Sequence, residues 1–399
     1  MSYFLLPTIH YKIKPNNIKI KFDEKIEIKI NKTLAEYLKR VKEQISSINI
    51  VTQWDNIKKY TNPYEYIHTP VPSYKFSVSR LKPLSRSFFK MIEIYNTFKL
   101  GDLYKKKAIN TFHLADGPGG FIEAFVSLRK NKLDTYHAMT LIDENVNVPG
   151  WKKSENFLRN NPNVIIETGY DKTGNLYKTE NLQYCMNKYQ NSMEFITADG
   201  GFDFSVDFNK QELMAFRLIL SQIAFAITMQ KEKGCFILKV FDIFLESTVE
   251  LVYFLCCFYE QVYIIKPHTS RYANSEKYIV CRYFKFKDTV EISKKFLAVF
   301  TVLNRINHNK YMIKAIIDIP IQYYYLCQLE EINAVLGQQQ IENILMTIKM
   351  IEDTNWSKDH ISKIKNQNVK RCIHWCLKHN ISYNKNIQPC NMFLGKSET

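Results

Sequence analysis

Thr111-Phe112-His113-Leu114-Ala115-Asp116-Gly117-Pro118-Gly119-Gly120-Phe121 runs an apolar strand into a carboxylate, three glycines and the first residue of a helix expected over 121–129. Glycine has no Cβ, so Gly117, Gly119 and Gly120 let the chain turn sharply and approach a ligand closely, while Pro118 stiffens the turn. Strand, glycine turn and helix make the opening unit of a wound α/β sheet, with a ligand position at the strand's carboxyl end. The spacing is neither the dinucleotide Gly-x-Gly-x-x-Gly nor a phosphate loop ending in Gly-Lys-Ser/Thr. Asp116 is the candidate to face a cationic ligand head, and Glu123, one helical turn on, is a weaker one. The alternative is a tight turn that binds nothing.

Working outward, short apolar runs recur at 111–115, 136–142, 164–167, 194–198, 235–240, 261–265 and 277–283, each the length of a buried strand. Helical stretches separate them. The clearest is 211–230, where Leu213, Phe216, Leu220, Ile223 and Ile227 form one apolar face. Alternating strands and helices predict a doubly wound, mostly parallel seven-stranded sheet with helices on both faces, a Rossmann-like core. Residues 1–80 read as an N-terminal extension, with strand-like alternation at 18–30, a basic helical stretch at 34–48 and a Pro/Tyr-rich loop at 62–73. The core is expected over 81–288. From 289 to 399 the pattern turns helical, including 329–350 and 359–379, and predicts a C-terminal helical region packed on that core.

The 399 residues carry 55 Lys and Arg against 39 Asp and Glu, a formal +16. Such an excess suits a polyanionic partner, although surface lysines that keep a protein in solution give the same sign. Nine cysteines without a repeated spacing, two of them adjacent at Cys256-Cys257, fit a reducing compartment better than a disulfide framework. The run 213–229 contains Arg217, Ser221 and Gln222 and falls short of a membrane span, and the first seven residues lack the features of a signal peptide. A soluble, cytoplasmic protein is expected. Cys372-Ile373-His374-Trp375-Cys376 with His379 has no usual zinc spacing, and its helical periodicity predicts core packing.

Two other strand-end carboxylates are candidates. Asp143 follows the second strand and suits ribose hydroxyls. Asp171, in Thr168-Gly169-Tyr170-Asp171-Lys172-Thr173-Gly174-Asn175, suits an adenine amino group or a simple turn.

In order along the chain, Ser85-Arg86-Ser87-Phe88-Phe89-Lys90-Met91-Ile92-Glu93-Ile94, the Asp116–Glu123 loop, Thr197-Ala198-Asp199-Gly200-Gly201-Phe202, Gly234-Cys235-Phe236-Ile237-Leu238-Lys239-Val240-Phe241 and Lys266-Pro267-His268-Thr269-Ser270-Arg271-Tyr272-Ala273-Asn274-Ser275-Glu276-Lys277-Tyr278 resemble the FtsJ-like family of RNA ribose 2′-O-methyltransferases, mRNA cap branch, found in eukaryotes and large cytoplasmic DNA viruses. The resemblance spans 85–283 and implies S-adenosylmethionine as methyl donor. Asp116, Gly117, Pro118, Gly119, Gly120, Phe121, Asp143, Asp171 and Asp199 are then its expected binding residues. It also implies a Lys-Asp-Lys-Glu catalytic set, here Lys90, Asp199, Lys239 and Glu276.

That set is chemically coherent. A ribose hydroxyl is a poor nucleophile at neutral pH, so a base must take its proton as it attacks the methyl group. Lys239 is the expected base, because burial beside a second ammonium, Lys90, favours the free amine. Asp199 and Glu276 orient the two lysines, and no metal is required. RNA phosphates are expected near Arg86, Lys266, Ser270 and Arg271. The substrate expected is the first transcribed nucleotide of 5′-capped mRNA, in company with other capping or transcription proteins. Ribosomal or transfer RNA, and a catalytically silent RNA-binding scaffold, remain as alternatives.

Overall fold

The structure, a computed structural model, describes residues 3–387 except 106, 146–147, 202–207, 309 and 354–355. In chain order it runs β1 (Tyr3–Leu5), β2 (Ile18–Asp23), α1 (Lys32–Gln44), α2 (Ile48–Thr61), α3 (Ser87–Thr97), β3 (Asn110–Leu114), α4 (Gly120–Arg129), β4 (Thr135–Met139), α5 (Glu155–Asn160) and β5 (Val164–Ile166). It continues through α6 (Thr179–Tyr189), β6 (Met193–Ala198), α7 (Gln211–Met229), β7 (Gln230–Val240), α8 (Glu246–Phe258), β8 (Tyr259–Ile265), β9 (Lys277–Phe284), α9 (Val290–Leu303), β10 (Met312–Ile317), α10 (Tyr323–Glu352) and α11 (Lys358–Lys378).

The main sheet is ordered β1-β8-β9-β7-β6-β3-β4-β5. Strands β5, β4, β3, β6 and β7 pair in parallel, and β9 enters antiparallel between β7 and β8. All seven expected strands are present. An eighth comes from β1, three residues long, which pairs antiparallel with β8 at the sheet edge, Phe4 opposite Ile264. It is too short for periodicity to reveal.

Alternation along each strand builds two cores. Phe112, Leu114, Ile196, Ala198, Phe236 and Leu238 face the cluster formed with α6, α7, α8 and α9. Their neighbours Phe195, Cys235 and Ile237 face the opposite cluster, with Phe88, Phe89, Met91 and Ile92 of α3 and Phe121 and Phe125 of α4. A strand buried on both faces carries apolar residues at both parities, hence the near-continuous apolar runs in the sequence. Helix α7 has the length and composition of a membrane span, yet most of it is buried inside this fold.

Residues before and after the main sheet meet each other. Strand β2 pairs with β10, a strand that the helical pattern of the tail does not predict. Leu38 and Val41 of α1, Ile45 just after it and Trp54 of α2 pack with Ile341, Ile344 and Ile348 of α10. The buried Lys42 ammonium meets Asp242, just beyond β7, at 2.7 Å. Cys372, Trp375 and Cys376 of α11 are buried in the core, with Trp375 edge-on to Phe89 at 5.9 Å. The Cys/His cluster of the tail is therefore core packing apart from His374, which is exposed.

Candidate active site

The carboxyl ends of β3, β6 and β7 open onto a cavity of about 930 Å³. Strand direction decides what meets there. Asp199 follows the last residue of β6, and Lys239 is the penultimate residue of β7. Because β9 is antiparallel to β7, its first residues lie beside the end of β7, with Val240 opposite Lys277 and Lys239 opposite Tyr278. Glu276, immediately before β9, thus arrives at the same edge. Helix α3 supplies Lys90 from well before β3 in the chain.

These four residues form two linked pairs. The Lys90 ammonium meets the two Glu276 oxygens at 2.7 and 2.8 Å, with both side chains about nine-tenths buried. The Lys239 ammonium donates to the Asp199 backbone carbonyl at 2.6 Å and lies 3.4 Å from its carboxylate. Burial lowers the pKa of Lys90, against the attraction of Glu276 and Asp199, and the charges of Arg86 and Lys239 press the same way as burial. Burial would raise Glu276, but the charges of Lys90 and Lys239 and the bonds from Lys90 and Ser270 hold it well below the ordinary carboxylate value. Asp199, Lys239 and Glu276 line the cavity.

Tyr278 joins the pairs. Its hydroxyl donates to Asp199 at 2.9 Å, and its ring lies 6.0 Å from the Lys90 nitrogen and stacks on Phe121 at 5.7 Å. In the sequence it only closes the motif that carries Glu276 and otherwise reads as one more apolar strand residue.

The loop 266–276 is pinned at nearly every residue. Glu93, fully buried in α3, accepts from the backbone of His268 and Thr269 and from the Thr269 hydroxyl at 2.8–3.1 Å. Asn62 accepts from the Tyr272 N–H, and Gln340 of α10 donates to the Ala273 carbonyl, both at 3.0 Å. Both chain extensions therefore hold the loop that delivers Glu276.

The structure sorts the residues expected to bind ligands. Gly117 and Pro118 line the cavity. A Cβ at Gly117 would lie 2.3 Å from the Pro149 carbonyl oxygen, so only glycine permits that close approach. Gly119 holds φ at +107° at the start of α4, while Gly120 and Phe121 pack inward, away from the cavity wall. Asp116 is also turned inward. Its oxygens accept from the Phe121 and Ile122 N–H groups at 3.0 and 2.8 Å, capping α4. Burial, with the nearby charge of Asp199, raises its pKa to about 8.

Asp143 is exposed and accepts from its own loop at Asn145, outside the cavity lining. Asp171 also lies outside that lining and spends its side chain on Thr173 and Asn181 as a turn former. The turn it shapes carries Gly174, Asn175, Leu176 and Tyr177 into the wall. Those four are the residues that reading the loop from its carboxylate overlooks. Phe202, which ends the Asp199 motif, lies outside the described residues.

Of the four residues expected to meet RNA, Arg86 and Arg271 line the cavity. Lys266 is buried and bonds the carbonyls of Asn274 and Glu276 at 2.6 and 2.8 Å, and burial lowers its pKa to about 7 against the pull of Glu276. Ser270 is buried too, donating to Glu276 at 2.8 Å. Both act on the Glu276 loop and present nothing to a ligand, because a strand-end position in the sequence does not reveal which way a side chain turns.

A Rossmann-like sheet that gathers Asp199, Lys239 and Glu276 at its strand ends, with Lys90 of α3 tied to Glu276, fits the class of methyl-transfer folds. Residues 83–284 match the model of the FtsJ-like methyltransferases, and the chain belongs to that family. Similar proteins include the mouse cap-specific mRNA (nucleoside-2′-O-)-methyltransferase 1, 28% identical over 286 residues, which cover 68% of this chain and 33% of the mouse protein. The protein of the same name from Xenopus laevis is 34% identical over 217 residues, 51% of this chain and 24% of the relative. That from Leishmania braziliensis is 34% identical over 183 residues, 44% of this chain and 45% of the relative. The matched stretch spans about a third of the mouse protein.

Proposed function

We propose that this chain transfers a methyl group from S-adenosylmethionine to a ribose 2′-hydroxyl of RNA, at the first transcribed nucleotide of capped mRNA. The observation that carries the reading is the meeting of Asp199, Lys239 and Glu276 on one cavity, with Lys90 buried behind Glu276, so that one lysine is tied to each carboxylate.

The donor end suits S-adenosylmethionine. Gly117 and Pro118 with Leu141 and Pro149 form one wall, Asn175, Leu176 and Tyr177 another, and Asp199 is the carboxylate between them and Lys239. When bound, the cofactor supplies an electrophilic methyl group on a sulfonium. The chain's own work is to hold the hydroxyl in line and to take its proton at the Lys239 nitrogen. Asp199 orients Lys239 through its carbonyl, and Lys90 and Glu276 fix the charge around it.

The same cavity is also lined by Trp54, Asp55 and Lys58 of α2 and by Gln340 of α10. An aromatic ring beside a carboxylate, here Trp54 and Asp55, suits a positively charged methylguanine, which supports the capped substrate. The reading carries with it a cytoplasmic setting, which the free cysteines support, and other capping or transcription proteins as neighbours.

Incubation with labelled S-adenosylmethionine and short RNAs bearing no cap, a guanosine cap or a 7-methylguanosine cap tests this. Label on the first nucleotide ribose of capped RNA is expected. Label on a base sinks the proposal, label on uncapped RNA alone moves the substrate to ribosomal or transfer RNA, and no transfer leaves a silent RNA-binding scaffold.

Gly117→Ala tests the donor end. Its new Cβ must displace the Pro149 backbone, a clash expected to cost about 1–3 kcal/mol and to weaken S-adenosylmethionine binding. Calorimetric titration showing undiminished affinity would remove this loop from the donor site.

A further inference from the structure

We propose that Glu65 is a positioning residue for the acceptor strand: its buried carboxylate holds the Arg86 and Arg271 guanidiniums together as a clamp for RNA phosphates. The inference rests on the RNA-directed activity proposed above and adds a role for a residue of the N-terminal extension.

Glu65 sits in the loop after α2, 206 positions from Arg271. Its side chain is 1% exposed, and its oxygens take a fork from Arg271, Nε to Oε2 at 2.9 Å and Nη2 to Oε1 at 2.6 Å. The Arg86 Nη2 lies 3.9 Å from Oε2, the oxygen that the Arg271 Nε also engages, and donates to the Thr269 carbonyl at 3.1 Å. The Thr69 hydroxyl completes the set at 3.0 Å. Burial would raise Glu65, but the Arg271 bonds and the charges of both arginines hold its pKa down at about 2. His68, lowered to about 4 by burial and by Arg86, adds no charge at neutral pH.

The charges at this site therefore sum to one positive. Two guanidiniums converge on one carboxylate, and both keep N–H groups beyond those it engages, with side chains 28% and 29% exposed on the cavity wall. A planar fork fixed on one edge presents its other edge at a set angle, which suits bidentate recognition of phosphate. Ordering the two arginines before the strand arrives removes an entropy cost from binding. The buried carboxylate is itself tolerable only because both arginines compensate it.

The sign of one substitution separates this from simple neutralisation. Glu65→Gln adds a positive charge, so a carboxylate that merely offset the arginines would, once removed, leave RNA bound more tightly. A clamp predicts the reverse. Binding of a fluorescent 7-methylguanosine-capped RNA, measured by anisotropy across a salt series with the chain saturated with S-adenosylhomocysteine, is expected to weaken about tenfold in Glu65→Gln. The slope of log affinity against log salt should flatten by about 0.7 for each phosphate that the arginines no longer neutralise, a readout that partial unfolding does not move. S-adenosylhomocysteine affinity should stay within about twofold, because Glu65 lies outside the cavity lining.

Arg271→Lys, which keeps the charge and loses the fork, should flatten the slope alike and add little on the Glu65→Gln background. It carries the test if Glu65→Gln does not fold. Equal or tighter RNA binding by either variant overturns the clamp. A wild-type chain that binds RNA without methylating it overturns the activity and leaves the clamp readable, whereas one that binds no RNA overturns both.

Discussion

Lys239→Ala is expected to abolish methyl transfer to RNA, with a fall of about a thousandfold or more in single-turnover rate, while donor binding persists. A positioned base contributes ~10²–10⁴ to such a reaction, and Lys239 is the amine that lines the cavity beside Asp199. Asp199 keeps the hydrogen bond from Tyr278 when the lysine is gone, so the donor end should retain its shape. Lys239→Arg sharpens the result, because a guanidinium keeps the charge but cannot surrender its proton. It should be as inactive as the alanine variant. Transfer of labelled methyl to capped RNA gives the rate, and calorimetric titration with S-adenosylhomocysteine gives the binding. Turnover near the wild-type rate in either variant would remove Lys239 as the base.

Glu276→Ala is expected to cost about 3–5 kcal/mol of stability as well as activity, since it leaves the Lys90 ammonium buried without its carboxylate. The Ser270 hydroxyl loses its acceptor at the same time. Urea unfolding followed by circular dichroism measures the loss, as a lower midpoint at unchanged slope. The paired replacement Lys90→Met with Glu276→Leu removes both charges and should recover much of that stability while staying inactive. An unaltered midpoint in Glu276→Ala would mean that the buried pair contributes nothing to the fold.

Residue patterns disclose the sheet and much of the site, for identifiable reasons. Strands such as 235–240 announce themselves because both faces are buried, and the helix 211–229 because its apolar stripe repeats at helical spacing. Lys90, Asp199, Lys239 and Glu276 are legible together only through the family resemblance, because each sits in one of its motifs and none would stand out alone. Asp116 has the strand-end place of a ligand residue, but two backbone N–H groups of α4 claim it. Lys266 and Ser270 stand in a basic, polar loop suited to phosphate, but folding turns both onto Asn274 and Glu276. Glu65 stands in no motif, and Tyr278 only closes the one that carries Glu276. Their importance lies in partners 206 and 79 residues away.

The sequence by itself determined the local chemistry of this protein: where strands and helices run, where only glycine can turn the chain, and which charged groups stand at strand ends. These follow from side-chain period and from what a single residue permits its own backbone. Only the tertiary structure decided which of those groups meet. Strand β9 enters antiparallel beside β7 and so delivers Glu276 to Lys90, while the helices flanking the sheet bring Glu65 to two arginines and Gln340 to the same loop. Pairings across two hundred residues are set by strand order and by the need to compensate each buried charge, and neither is written in any one stretch of the chain.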